Sequence, residues 1–315
     1  MFNAEKFITQ AVEQLKEQIQ GKAIIAFSGG IDSAVAAVLV QKAIGEKLIA
    51  VHVDTGYMRK NESLSVKEFM DSLGLNYRFI DASEQYYAAL SEVEDPEQKR
   101  KIIGEKFIRV FEQVAREENV DFLVQGTIAP DWIESGGELR DVIKSHHNVG
   151  GLPKDLKLTL VEPLRDLYKD EVRKIARVLK LSISERQPFP GPGLAIRVIG
   201  KATAERTEIV REACFIVESE IEKAVEQGKM ELPWQYFAVL LPVSTVGVHG
   251  DCRAYGHTIA IRAVQSIDAM TCAYSHIPHE VLDKISTKIT NALGDKVNRI
   301  VYDVTNKPPG TVEWE

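Results

Sequence analysis

Ser28-Gly29-Gly30-Ile31-Asp32-Ser33 is the stretch of this sequence whose residue types are most suited to chemistry. It follows an apolar run, Ile24-Ile25-Ala26-Phe27, and leads into an alanine- and valine-rich segment, Ala34 to Ala43. A strand that breaks into a glycine turn at a helix N-terminus aims several backbone N–H groups at one point, and the helix dipole adds positive potential there. Gly29 and Gly30 let the backbone approach an anion, while Ser28 and Ser33 offer hydroxyl donors. The spot suits phosphate. No lysine follows the glycines, so this is not a Walker A loop. Asp32 has two readings: it shapes the loop and helps hold a divalent cation, or it caps the helix.

The surrounding pattern alternates strands with helices. Residues 4–20 carry apolar residues at helical spacing, and 48–53 is a buried strand ending in Asp54-Thr55-Gly56. Helix 62–73, strand 77–80, a charged and largely helical stretch 82–119 and strand 121–125 follow, then a strand at 158–162 and a helix at 170–179. This order predicts a doubly wound parallel α/β sheet with ligands beyond the carboxyl ends of its strands. Pro188 to Gly193 holds three prolines and two glycines and is expected to be a hinge. Beyond it, helix 204–227, strands 234–241 and 257–264, helix 279–293 and strand 299–304 predict a small α+β domain of about three strands. The expected domains are 1–187 and 188–315. So small a sheet has few residues to cover both its faces, which predicts a homodimer through the second domain.

Composition narrows the class. A chain of 315 residues with 44% hydrophobic residues supports two full cores. The formal charge of −7 argues against a dedicated nucleic-acid binder. Cys214, Cys252 and Cys272 match neither a redox pair nor a zinc spacing, and an odd count fits a reducing cytoplasm. No apolar run spans a membrane, and the N-terminal pattern is that of a helix rather than a signal peptide.

The loop resembles the SGGxDS pyrophosphate loop of the N-type ATP pyrophosphatases. More of the chain carries a closer resemblance. KRKIIG (99–104), QGTIAPDWIES (125–135), IKSHHNVGGLP (143–153), PFPGPGLAIR (188–197), VGVHGDCRAY (246–255) and DVTNKPPGTVEWE (303–315) are similar to the ATP-pyrophosphatase subunits of the GMP synthetase family. That resemblance implies an adenine-nucleotide α-hydrolase-like first domain, followed by a dimerisation and substrate domain. It implies a ligase reaction in which ATP adenylylates the C2 oxygen of xanthosine 5′-phosphate (XMP), pyrophosphate leaves, and ammonia then displaces AMP to give GMP. The family's class I glutamine amidotransferase domain, with its nucleophilic cysteine, has no counterpart in this sequence. The two-subunit form is therefore expected, with ammonia supplied by a separate glutaminase, and with Mg²⁺ accompanying ATP.

The resemblance distributes roles along the chain. Ser28, Gly29, Gly30, Ile31, Asp32 and Ser33 receive the ATP phosphates, and backbone at Val53 and Gly126 reads the adenine edge, or serves strand packing only. Lys144, in a segment bracketed by glycines at 136, 137, 150 and 151, is the candidate catalytic cation of a closing lid. Asp131 and Glu134, just before that segment, are candidates to help place Mg²⁺ or the lid, and His146-His147 is a poor zinc pair because adjacent side chains diverge. For XMP the resemblance points to Arg100, Asp251, Lys307 and Glu313, with Arg197 and Arg253 as further cations. By charge, Arg100 and Lys307 suit the monophosphate, while Glu313 and Asp251 suit base or ribose donors. Deleting 307–315 is expected to abolish GMP formation and leave the fold intact. Two other readings compete: another N-type pyrophosphatase, such as a tRNA thiolase or NAD synthetase, and a non-catalytic nucleotide sensor on the same fold. A thiolase would want a cysteine pair and a basic surface, which this sequence lacks, and a NAD synthetase would give no reason for PFPGPGLAIR or the EWE tail. The sensor leaves the loop and tail unexplained.

Overall fold

The computed structural model describes residues 2–130, 158–181, 187–266 and 270–315. Asp131, Glu134, Lys144, His146, His147 and the glycines that bracket them lie outside those residues. The chain forms two compact units. The first comprises Met1–Asp54, Glu62–Ala82 and Gly104–Glu185, and the second Thr55–Asn61, Ser83–Ile103 and Arg186–Glu315.

In the first unit, strands β1 (Ala23–Ala26), β2 (Leu48–Asp54), β3 (Tyr77–Asp81), β4 (Phe122–Val124) and β5 (Thr159–Val161) form one sheet in the order β3-β2-β1-β4-β5. Every pairing is parallel. The order reverses beside β1, so right-handed crossovers send helices to opposite faces. The reversal also opens a crevice between β1 and β4 at their carboxyl ends. Helix α2 (Ile31–Ile44) buries seven consecutive residues, Ala34 to Val40. A helix apolar on all sides belongs inside a fold. Here it packs between the sheet, α1 (Ala4–Gln18) and α6 (Lys169–Val178). α1 starts at Asn3, whose Oδ1 accepts from Lys6 N at 2.9 Å. Between β2 and β4 the chain also forms α3 (Glu62–Ser72), α4 (Ser83–Leu90), which belongs to the second unit, and α5 (Pro96–Glu118), whose residues are divided between the two.

The second unit carries a four-stranded sheet rather than about three strands. β6 (Gln235–His249) and β7 (Cys252–Gln265) make a long antiparallel hairpin, and both β9 (Val297–Tyr302) and the two-residue β8 (Ala273–Tyr274) pair with β7. Helices α7 (Ala204–Glu226) and α8 (His279–Leu293) pack together beside it. The hairpin strands run well past the expected ends at 241 and 257. Their outer halves alternate exposed and half-buried residues, and Gly247 and Gly256 interrupt the pattern, so apolar periodicity does not reveal them. Pro188 to Gly193 begins two residues into the last segment of this unit, Arg186–Glu315. Gly193 has φ +63°, its Cβ would stand 2.3 Å from Tyr57 O, and Leu194 N donates to that carbonyl at 2.8 Å. A short 3₁₀ helix, Gly193–Arg197, then runs fully buried.

Candidate functional site

β1 ends at Ala26, while β2 continues to Asp54 paired to β3 alone beyond Val51. The chain leaving β1 therefore turns over the sheet edge as Ser28-Gly29-Gly30. Gly29 has φ +78°, and a Cβ there would meet Val66 Cγ2 at 2.6 Å. Both facts demand glycine. Gly29→Ala is expected to cost about 2 kcal/mol in a urea melt, from strain and overpacking together; an unchanged midpoint would contradict the tight loop.

Helix α2 begins with Gly30 as its N-cap, which has no side chain to offer. The N–H groups of its first turn thus lack a side-chain cap, as an anion cradle requires. Ser33 Oγ donates to Gly30 O at 3.0 Å and lies 3.1 Å from Ser28 Oγ, while Gly30 N donates to Ser28 Oγ at 3.3 Å. The two hydroxyls stand side by side on the loop. Asp32 does not cap the helix. Its Oδ2 accepts from Lys169 Nζ at 2.5 Å, and its Oδ1 is buried with no hydrogen-bond partner among the described residues. A carboxylate oxygen without a hydrogen-bond donor suits a cation. Among the described residues no three His, Cys, Asp or Glu side chains gather around a metal. Mg²⁺ is commonly held by one or two carboxylates together with substrate phosphates, so Asp32 suits such a site without a cluster of three.

Val53 and Gly126, the other candidates for the nucleotide, lie at the ends of the strands on either side of β1. Val53 is buried near the end of β2, opposite Ile80 of β3. Gly126, just beyond β4, is packed on the first turn of α2: a Cβ would come 3.0 Å from Asp32 C and 3.1 Å from Ser33 N. Its small size sets how closely the two walls of the crevice approach.

One contributor is absent from the residues that spacing singles out. His52, buried in β2, lies with Nδ1 2.9 Å from Phe27 O and Nε2 3.2 Å from Ser63 Oγ. A carbonyl only accepts, so Nδ1 carries the proton and the ring ties the residue before the loop to α3. A lone histidine in the aliphatic strand LIAVHV is the signal that marks it.

The XMP candidates all fall in the second unit, where fully buried cations grip the tail 303–315. Arg197 Nη2 and Nε donate to the two oxygens of Glu313 at 2.8 and 3.1 Å, and Gln235 Nε2 adds a bond of 2.9 Å. The guanidinium lies 4.0 Å from the Phe237 ring centroid. Arg262 donates to Thr305 O at 2.5 Å and Thr311 O at 2.9 Å, with Asp303 Oδ2 at 3.3 Å. Lys99 Nζ donates to Glu315 Oε2 and to Val198 O at 2.8 Å. Burial pushes the Glu315 carboxyl above the usual carboxylate range, opposed by Lys99, and pushes the Lys99 ammonium down.

Arg100 is the neighbour of Lys99 on α5 and pairs with Glu97. Lys307 is half-buried and exchanges backbone hydrogen bonds with Cys272, at 2.8 and 3.1 Å. Asp251 lies elsewhere: it is exposed in the turn of the β6–β7 hairpin, with Arg253 beside it. The tail sits at the other end of that hairpin, against Gln235 and Arg262. Roughly 40 Å of strand, at about 3.3 Å per residue, separates Asp251 from the Gln265 end of β7.

Residues 220–314 match the family model described as GMP synthase C terminal domain, and residues 1–128 match the one described as NAD synthase. A subunit of the glutamine-hydrolyzing GMP synthase of Thermococcus kodakarensis is 58% identical over 315 residues, covering 99% of both chains. The protein of the same name from Methanopyrus kandleri is 56% identical over 319 residues and covers 100% of both. That of Thermoplasma acidophilum is 52% identical over 313 residues, covering 99% of this chain and 100% of its own. Among solved structures, an NH3-dependent NAD synthetase from Campylobacter jejuni has a TM-score of 0.46 and 20% identity, over 57% of this chain and 75% of that one.

Proposed function

The chain belongs to the family of these glutamine-hydrolyzing GMP synthase subunits, and we propose on that premise that it is the synthetase half of a two-subunit ligase making GMP. The XMP C2 oxygen attacks the α-phosphorus of ATP, and the bond to the β-phosphate oxygen breaks as pyrophosphate leaves. Ammonia from the partner glutamine amidotransferase attacks C2, AMP departs with the oxygen, and the nitrogen sheds a proton.

The observation that carries this reading is the uncapped start of α2 beneath Ser28, Gly29 and Gly30. Its N–H groups and the Ser28 and Ser33 hydroxyls are fixed before ATP arrives, so charge developing on the leaving pyrophosphate meets donors that need no reorganisation. Mg²⁺, when bound, neutralises phosphate charge, and Asp32 Oδ1 is the atom placed to hold it. The adenine edge is read by backbone near Val53 and Gly126, and Lys144 is the lid cation. Arg100 and Lys307 take the XMP phosphate. Asp251 and Glu313 are assigned to its base or ribose, Glu313 while seated on Arg197.

A homodimer through the second unit is part of the proposal. Val243, Val246, Val248 and Tyr255 are large apolar side chains exposed on the β6–β7 hairpin. Asp251 is too far along that hairpin to join Lys307 of its own chain at one nucleotide, so a second copy would have to deliver it. Sedimentation should give twice the monomer mass, and a monomer at all working concentrations would refute this. We assign the protein to the cytoplasm; no helix among the described residues is long and apolar enough to cross a membrane. A nucleotide sensor on this fold would not turn over, so pyrophosphate should appear from ATP only when XMP is added. Release without XMP, or none with it, would overturn the reading.

A further inference from the structure

Glu313 is held by Arg197 and Gln235, and both of those lead back to one cation. Arg59 Nη2 donates to Gln187 O at 3.0 Å and to Pro188 O at 3.3 Å, and its guanidinium carbon lies 4.1 Å from the Phe189 ring centroid. The same ring centroid is 5.2 Å from the guanidinium carbon of Arg197. Pro188 O also accepts from Gln235 Nε2 at 3.3 Å, the amide that donates to Glu313 Oε1. We infer that Arg59 is a positioning residue for XMP: through Pro188 and Phe189 it fixes the two groups that aim Glu313. This rests on the reading of Glu313 as an XMP ligand.

Arg59 comes from the short segment Thr55–Asn61, which belongs to the second unit with all of these residues. That segment has other anchors. Tyr57 OH donates to Ala202 O at 2.7 Å, Arg211 Nε donates to Met58 O at 3.1 Å, and Lys60 pairs with Glu212. Glu218, which lies 3.4 Å from Arg59 Nε, has a second donor in Gln187 Nε2 at 2.9 Å. What Arg59 adds is a grip on Gln187, Pro188 and Phe189. Tyr236 N, donating to Gln187 Oε1 at 2.7 Å, ties the same three residues to β6.

The task suits a guanidinium and not an ammonium. A planar fork can serve two carbonyls while its face lies against a ring, whereas a lysine is a point charge on a flexible stem. The Arg59 side chain is only 11% exposed, and a cation–π contact is strongest where water is excluded. Arg197 is fully buried and touches both Phe189 and Phe237, so the position of Phe189 sets the plane of its fork. A bidentate pair follows that plane. If Phe189 shifts, the Glu313 carboxylate turns with Arg197. If Pro188 shifts, Gln235 loses one of its two acceptors and holds Glu313 less firmly.

The test uses the full-length chain with Arg59→Lys, which keeps the charge beside Glu218, and with Phe189→Leu and Phe189→Tyr. In R59K and in F189L the KM for XMP should rise about tenfold, the scale of one charge-assisted hydrogen bond to the nucleotide. The KM for ATP should not change, and F189Y, which keeps the ring, should match the parent. The double variant R59K/F189L should lose no more than the worse single variant, because both act on one seat. A parent-like KM for XMP in R59K would overturn the proposal, as would a KM for ATP that rises in step or single effects that multiply in the double variant. A second readout needs no substrate. Carboxypeptidase should trim the tail of R59K and F189L roughly fivefold faster than that of the parent, since cleavage tracks the population of the lifted tail. A parent that releases no pyrophosphate with XMP would count against the functional reading instead. The trimming rates would still decide whether Arg59 seats the tail, and equal rates would overturn it.

Discussion

Asp32→Asn is expected to lower XMP-dependent pyrophosphate release by about 100-fold or more, while the thermal midpoint stays within error of the parent. The rate falls because Asp32 Oδ1 is a buried oxygen with no partner among the described residues. An amide there keeps the shape and loses the charge that a phosphate-bound cation needs, at a position where one electrostatic contact is worth about 10²–10³ in kcat. The fold is spared because the pair with Lys169 is exposed on the lysine side and only 28% exposed on the aspartate side. Pairs of that kind contribute about 0–1 kcal/mol. Steady-state pyrophosphate assays and calorimetric scanning check the two halves separately. An active D32N would mean that the carboxylate serves the loop's shape alone. A strongly lowered midpoint would mean that the pair is structural.

Glu313→Gln is expected to cost about 3 kcal/mol or more of stability, the usual consequence of removing one partner from a buried ion pair. Arg197 has no solvent exposure, and its Nη1 is already buried without a partner among the described residues. Loss of the carboxylate leaves a charge that water cannot reach. The double variant Arg197→Met, Glu313→Met should regain much of the loss, because apolar replacement of both partners removes the desolvation penalty as well. Urea melts measure both, and E313Q within about 0.5 kcal/mol of the parent would contradict the buried clasp. The same reasoning revises the truncation expected from sequence. Deleting 307–315 strips Arg197 and Lys99 of Glu313 and Glu315, so the shortened chain should lose stability as well as activity. Point variants of Lys307 therefore test substrate binding more cleanly.

The first unit is largely legible in the sequence, because each strand there is a short aliphatic run closed by glycine or a polar turn. β1, its loop and α2 announce themselves at successive residues, and the parallel sheet follows from the alternation of strands and helices. The second unit is less legible. Its hairpin is half solvent-facing, so periodicity stops near Leu241 although pairing continues to His249. At the candidate site, the loop residues are visible because they are contiguous. Lys169, His52, Lys99 and Arg262 are not, since each acts through a partner elsewhere along the chain, and Arg197 is singled out only by the family resemblance. Lys169 reads as a surface charge at a helix start, and Arg262 as an interruption in an apolar strand. What they do depends on tertiary distances that spacing does not encode.

The central claim is that this chain makes GMP from ammonia delivered to it. The most direct measurement is GMP formation by the chain alone with ATP, Mg²⁺ and XMP, first with ammonium and then with glutamine as the nitrogen source. GMP from ammonium and none from glutamine is the predicted result. Absence of GMP with ammonium, under conditions where the protein is folded, would contradict the account.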